Sequence, residues 1–232
     1  MPGIKLIIIT FLVSAVLIGG LIFWQNSGSQ NQNLNMNSKE IIDGPLIAEE
    51  QRIKNPIIEN DMNPKALIKT NYGDIELELF ADLMPITTDN FMALSESGFY
   101  NGTKFHRVID GFMIQAGDPY SKGDDEGLYG RGGPDKNVPD EFIKGELLTN
   151  TRGTIAMANT GQPNSGGSQW FINTVDNTAL DFDKEPLSSK HPVFGRVIKG
   201  MDVVDTISAT PVKPISNIPI QAVIIESITI IR

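Results

Sequence analysis

From Asp74 to Leu79 polar and apolar residues alternate, with Ile75, Leu77 and Leu79 on one side and Asp74, Glu76 and Glu78 on the other. A period of two predicts a strand with one face in a core and one in water. Ala66 to Thr70 precedes it across Asn71-Tyr72-Gly73, which makes the pair a hairpin. Between Pro85 and Ser97 the pattern becomes helical, with Thr87 or Thr88 near the start, Phe91, Met92 and Leu94 as apolar contacts, and Gly98 as the stop. Phe105 to Ile109 and Phe112 to Ala116 read as strands separated by Asp110-Gly111, so Met113 and Gln115 share a face. In Ser168 to Ile172 the same alternation sets Gln169 and Phe171 on one face and sends Trp170 the other way, into packing. A short helix over Met201 to Ile207 and the β-rich ending QAVIIESITIIR complete the list of elements. Many short strands with two helices predict a mainly β fold, an antiparallel β-barrel capped by helices.

The amino-terminal residues break this pattern. Leu6 to Trp24 is a run of nineteen residues without a charge, long enough to cross a bilayer as a helix. Residues 1–24 are therefore expected to be a transmembrane anchor, with a cleaved secretory signal as the alternative; no A-x-A pattern follows the run. Lys5 precedes it and no Lys or Arg follows until Lys39, which places the amino terminus in the cytoplasm and the remainder outside. The expected location is the cell membrane, single-pass, or a secreted form if the signal is removed. Residues 25–64 form a polar tether and pre-domain segment whose first part, QNSGSQNQNLNMNSKE, is too polar to repay the entropy of ordering. The structure of residues 41–64, interrupted by Pro45, Pro56 and Pro64, is left open. Residues 65–232 are the globular domain.

Charge and composition narrow the function. A net charge of −9 without a basic run argues against nucleic acid as a partner. The chain has no cysteine, and its two histidines, His106 and His191, stand far apart in sequence, so no thiol chemistry, metal site or cofactor is expected. Arg107 stands out instead, within FHRVIDGFMIQAGDP at Phe105 to Pro119, among apolar residues and Gln115 with no acid or thiol organised beside it. A guanidinium cannot act as a general base, but its planar fork of donors can stabilise a lone pair that grows more basic during a reaction.

That segment, GRGGP at Gly130 to Pro134, PDEF at Pro139 to Phe142, MANT at Met157 to Thr160, GSQWFI at Gly167 to Ile172 and HPVFGRVIKGMDVVD at His191 to Asp205 together resemble the cyclophilin family of peptidyl-prolyl isomerases, in order and in spacing. The resemblance covers about Lys65 to Arg232 and implies an eight-stranded antiparallel barrel capped by two helices. It implies catalysis of rotation about X-Pro bonds without a covalent intermediate, and with the outward topology expected from the anchor the activity would aid folding outside the cytoplasm. Arg107, Phe112 and Gln115 match the family's catalytic positions. Phe112, Met113, Phe171 and Leu180 match its proline socket, Gln115 and the backbone of Asn159 the peptide contacts, Ala158 and Gln169 the neighbouring groove, and His191 a site histidine. Expected partners are proline-containing polypeptides and unfolded client proteins, met by a monomeric domain. A noncatalytic proline-peptide binding module, or holdase, is the alternative.

Two departures from the family pattern bear on the site. Ala179 stands where many members carry an aromatic residue before the socket leucine, which removes a rim contact that supports the inhibitor cyclosporin. An extended loop, FDKEPLSSK, separates Asp181 from His191, so the histidine's place depends on how the loop closes. His106, next to Arg107, is expected to be a hydrogen-bonded structural residue.

Overall fold

The computed structural model describes residues 63–185 and 190–232. The expected anchor at 1–24 and the tether through residue 62 lie outside the described residues, among which no helix is long and apolar enough to cross a membrane.

Eight strands and two helices form the domain: β1 (Lys65–Thr70), β2 (Gly73–Leu79), α1 (Pro85–Glu96), β3 (Arg107–Ile109), β4 (Met113–Ala116), β5 (Thr154–Met157), β6 (Trp170–Asn173), β7 (Val193–Lys199), α2 (Met201–Ser208) and β8 (Ile225–Ile231). Neighbouring strands are antiparallel in the order β3-β4-β6-β5-β7-β2-β1-β8. The expected eight-stranded antiparallel barrel is a half-barrel. Its edge strands β3 and β8 do not pair; the residues ahead of them meet at a single bridge, Lys104 with Ile224, supported by Phe105 N–H to the Val223 carbonyl at 2.9 Å and Ile225 N–H to the Thr103 carbonyl at 2.8 Å. β3 offers three residues before Asp110-Gly111 reverses the chain, too few for a second ladder.

The alternation in β2 places Ile75, Leu77 and Leu79 wholly in the core. Glu78 departs from it: expected in water, it is 2% exposed. It sits opposite Arg196 on β7, which donates from Nη2 at 2.7 Å and Nε at 2.8 Å, and Asn63 supplies a third donor at 2.8 Å. A carboxylate can be buried when its lone pairs are met in this way. Inside the sheet, Phe91 of α1 packs against Tyr100, Trp170 and Phe194 with ring centroids 5.5, 6.0 and 5.4 Å away, so Trp170, which strand parity had only set opposite Phe171, is core. No side chain of α1's own caps its first turn. Glu141, from the PDEF segment, does so from outside: its carboxylate accepts the N–H groups of Ile86 at 3.1 Å and Thr87 at 2.9 Å and the Thr87 hydroxyl at 2.8 Å. Such a partner satisfies the orphan donors of a helix start and complements its dipole.

Candidate active site

Arg107 opens β3 and pairs in register with Gln115 on β4. Its Nη1 donates to Gln115 Oε1 at 3.2 Å and lies 3.9 Å from Met113 Sδ. Gln115 Nε2 donates in turn to Gln169 Oε1 at 3.0 Å, and Gln169 Nε2 to the carbonyls of Gly132 at 2.8 Å and Gly130 at 3.1 Å. A cation that can only donate turns the Gln115 oxygen toward itself, which turns its amide nitrogen toward Gln169 and sets the polarity of the whole chain. Two glycines permit the close approach this needs. A Cβ at Gly117 would stand 2.2 Å from the Ser168 carbonyl oxygen, and one at Gly132 would stand 2.1 Å from Asp118 Oδ1. Substituting either would push β4 from β6, or the glycine-rich loop from β4.

The predicted socket residues gather beside this chain. Met113 and Phe171 are buried, while Phe112 and Leu180 are half-buried against the core. Phe171 pairs with Gln115 across β4 and β6, and its ring meets His191 edge-on with centroids 5.3 Å apart. His191 N–H donates to the Leu180 carbonyl at 3.1 Å, which ties the histidine to the socket leucine. His191 Nδ1 lies 3.1 Å from the Met157 carbonyl. That bond assigns the proton to Nδ1 and leaves Nε2 with its lone pair. Burial lowers the pKa of His191, opposed by the bond to Met157 and assisted by the charge of Arg107. Burial also draws Arg107 below its ordinary value, and the guanidinium stays cationic throughout the physiological range.

Next to the socket runs a groove of about 520 Å³ whose walls include Gln115, Ala158, Asn159 and Gln169. The sequence reading missed other parts of its lining: Arg131, Asn137, Thr160 and Ser165. Arg131 lies in GRGGP and Thr160 ends MANT, both recognised as motifs without either residue being given a part in the surface, while Asn137 and Ser165 carried no motif signal. Asn159 lines the groove while its side chain serves the loop, donating to the Lys190 carbonyl and accepting from Gly161 N–H at 3.0 Å. Ala179 is exposed in the short turn Thr178–Leu180 and presents no ring at the rim.

His106 corrects an expectation. It is buried, 4% exposed, but neither ring nitrogen reaches hydrogen-bonding geometry with any partner; the backbone of Lys104 and the side chain of Gln169 come near without meeting it. Burial lowers its pKa, and the nearby charge of Asp118 works in the opposite direction. Among the described residues no group of three or more His, Asp or Glu is placed to hold a metal ion.

A donor on a strand, an apolar socket and an adjoining groove suit an extended peptide rather than a small polar metabolite. Residues 65–230 match the family model described as cyclophilin type peptidyl-prolyl cis-trans isomerase. The chain belongs to that family. Among similar proteins, peptidyl-prolyl cis-trans isomerase B of Escherichia coli is 44% identical over 168 residues, covering 69% of this chain and 96% of that protein. A peptidyl-prolyl cis-trans isomerase of Acinetobacter baylyi is 40% identical over 200 residues, 82% of this chain and 93% of its own. The crystal structure of a cyclophilin type isomerase from Cryptosporidium parvum superposes with a TM-score of 0.62 at 35% identity, covering 73% of this chain and 98% of that one. The cyclophilin domain is an isomerase, and its eight strands and two helices have the family's architecture.

Proposed function

We propose that this cyclophilin rotates X-Pro bonds of unfolded polypeptides on the outer side of a cytoplasmic membrane, with Arg107 as the donor to the reacting nitrogen. The observation that carries the reading is the Arg107–Gln115 pair, which holds a fixed cation beside a socket of Phe112, Met113, Phe171, Leu180 and His191. Rotation about the bond faces a barrier of about 18 to 20 kcal/mol because amide resonance must be lost. At the twisted transition state the prolyl nitrogen regains its lone pair, which neither planar ground state offers. A donor aimed there binds the transition state selectively and lowers the barrier. The socket grips the ring while the preceding residue turns, and Gln115 and the backbone of Asn159 hold the neighbouring peptide groups. Ala158 and Gln169 receive the residues ahead of the proline. A related cyclophilin structure was solved in the presence of the dipeptide Ala-Pro, which fits a ligand of this kind.

Residues 6–24 serve in this reading as an uncleaved anchor, and the polar tether holds the catalytic domain away from the bilayer. Exchange spectroscopy on an Ala-Pro peptide with the full chain in detergent tests the activity; an exchange rate no faster than in buffer, with the peptide still bound, returns the chain to a binding module. Protease added to spheroplasts tests the topology. Release of the domain is expected, protection until the membrane is opened reverses the orientation, and a mature amino terminus beyond about Gly20 indicates signal cleavage.

A further inference from the structure

Behind the socket lies a group of polar side chains with no role in the mechanism above. Asn150 and Asn173 are wholly buried and Asp181 is 6% exposed, while Asn177 is half-buried. Asp181 Oδ1 accepts the backbone N–H and the side-chain Nδ2 of Asn150, at 2.8 and 2.9 Å, and its other oxygen accepts the Thr149 hydroxyl. Asn150 Nδ2 also donates to the His191 carbonyl at 3.0 Å, and Asn150 Oδ1 accepts from Asn173 Nδ2 at 3.1 Å. Asn173 Oδ1 accepts from Asn177 Nδ2 at 2.8 Å, and that same nitrogen donates to the Phe112 carbonyl at 2.8 Å. An unbroken path of hydrogen bonds therefore joins the backbone of Phe112 to the backbone of His191.

Its two ends are residues of the proposed socket. Phe112 leads into β4 and His191 into β7, and β6 and β5 lie between those strands, so the ladders join the two sides only through two intervening strands and the amide path is a more direct link. Leu180 is drawn in as well: its N–H donates to the Asn177 carbonyl at 2.8 Å, and its own carbonyl receives His191 N–H. Buried amides are costly unless every donor and acceptor is met, and a network in which they are met admits one geometry.

We propose that Asn150, Asn173, Asn177 and Asp181 are positioning residues that set the width of the proline socket, acting on substrate only through Phe112, Leu180 and His191. The inference rests on the proposed socket. Since the socket grips proline in the ground and transition states alike, loosening it raises KM; kcat is preserved because Arg107 is held from β4 through Gln115, outside the network.

Asn177 is the site to change, being only half-buried. In the full chain in detergent, Asn177→Asp removes both side-chain donors at nearly constant shape and Asn177→Ala removes the whole amide. Both should raise KM for an Ala-Pro peptide, and its dissociation constant by NMR titration, about fivefold or more, with kcat within about twofold. Leu180→Ala removes one wall, and adding Asn177→Ala to it should weaken binding by much less than Asn177→Ala does alone. Wild-type KM and peptide affinity in both folded variants would overturn the proposal, as would additive effects in the double variant or a fall in kcat that follows lost thermal stability at unchanged KM. Peptide titration needs no turnover, so a wild-type chain that binds the peptide without catalysis removes the functional reading and leaves the positioning role testable. Failure of wild type to bind the peptide at all removes both.

Discussion

Arg107 and Gln115 face each other across β3 and β4, and the 3.2 Å bond between them occupies one nitrogen of a guanidinium with five N–H groups. The pairing fixes where the cation points while leaving the rest of the fork its donor capacity. Arg107→Ala is expected to lower kcat/KM by about 100- to 1000-fold, the usual loss when one preorganised donor to a transition state is removed, with the circular-dichroism spectrum unchanged. Arg107→Lys keeps the charge and loses the fork, and should recover only a small part of the rate. Wild-type exchange rates in folded Arg107→Ala would remove the mechanism.

Glu141 should matter to stability and not to turnover. Glu141→Ala leaves the Ile86 and Thr87 N–H groups without their acceptor at a mostly buried site, which costs about 2 kcal/mol and lowers Tm by about 4 to 8 °C. Glu141→Gln retains an oxygen at the cap and should lose less. Thermal melts beside kcat/KM of the folded proteins separate the two effects.

Both histidines have folded-state pKa values lowered by burial, below the ordinary value of about 6.5. As pH falls the unfolded chain takes up these protons first. Their contribution to stability is therefore fully present above about pH 6.5 and is lost as pH falls through the lower folded values. Tm should be level above about pH 7 and decline below it, and the imidazole proton resonances should titrate below about 6.5. A midpoint above that value for His191 would contradict its neutral, Nδ1-protonated placement.

The exposed Ala179 should separate inhibitor binding from catalysis. A large cyclic ligand covers the rim whereas proline occupies the deeper socket, so Ala179→Trp is expected to tighten cyclosporin by about 1 to 3 kcal/mol with little change in turnover. Tight binding by the wild-type chain, or no response to the substitution, would show that the rim lies elsewhere.

Hydrophobic periodicity sufficed for the β1–β2 hairpin, both helices and the parity that sets Trp170 and Phe171 on opposite faces of their strand, because each is a local pattern. Glu78 was misread since alternation reports which face a residue is on, not whether Arg196 waits opposite it on β7, five strands later in sequence order. Glu141 and the amide network were invisible for a related reason: apart from the Asn173–Asn177 pair, their partners lie tens of residues away, and nothing in the sequence ties Asn150 to Asn173 or Asp181. The candidate site positions came from motif resemblance, which carries long-range information that a single sequence's periodicity lacks. The single bridge between Lys104 and Ile224 depended on strand lengths, the least certain part of any reading from pattern alone.

The first strand of the domain lies between β2 and the last one, with Lys65 opposite Ile231. On the ribosome, or during passage through a membrane pore, the strand that starts at Lys65 waits for nearly the whole domain to emerge before its second edge is covered. Sheets assembled from such distant partners form slowly and leave unpaired edges exposed in the meantime. An enzyme proposed to assist other chains in folding would thus share its clients' difficulty at birth, with a bare β1 edge open to other strands until β8 arrives.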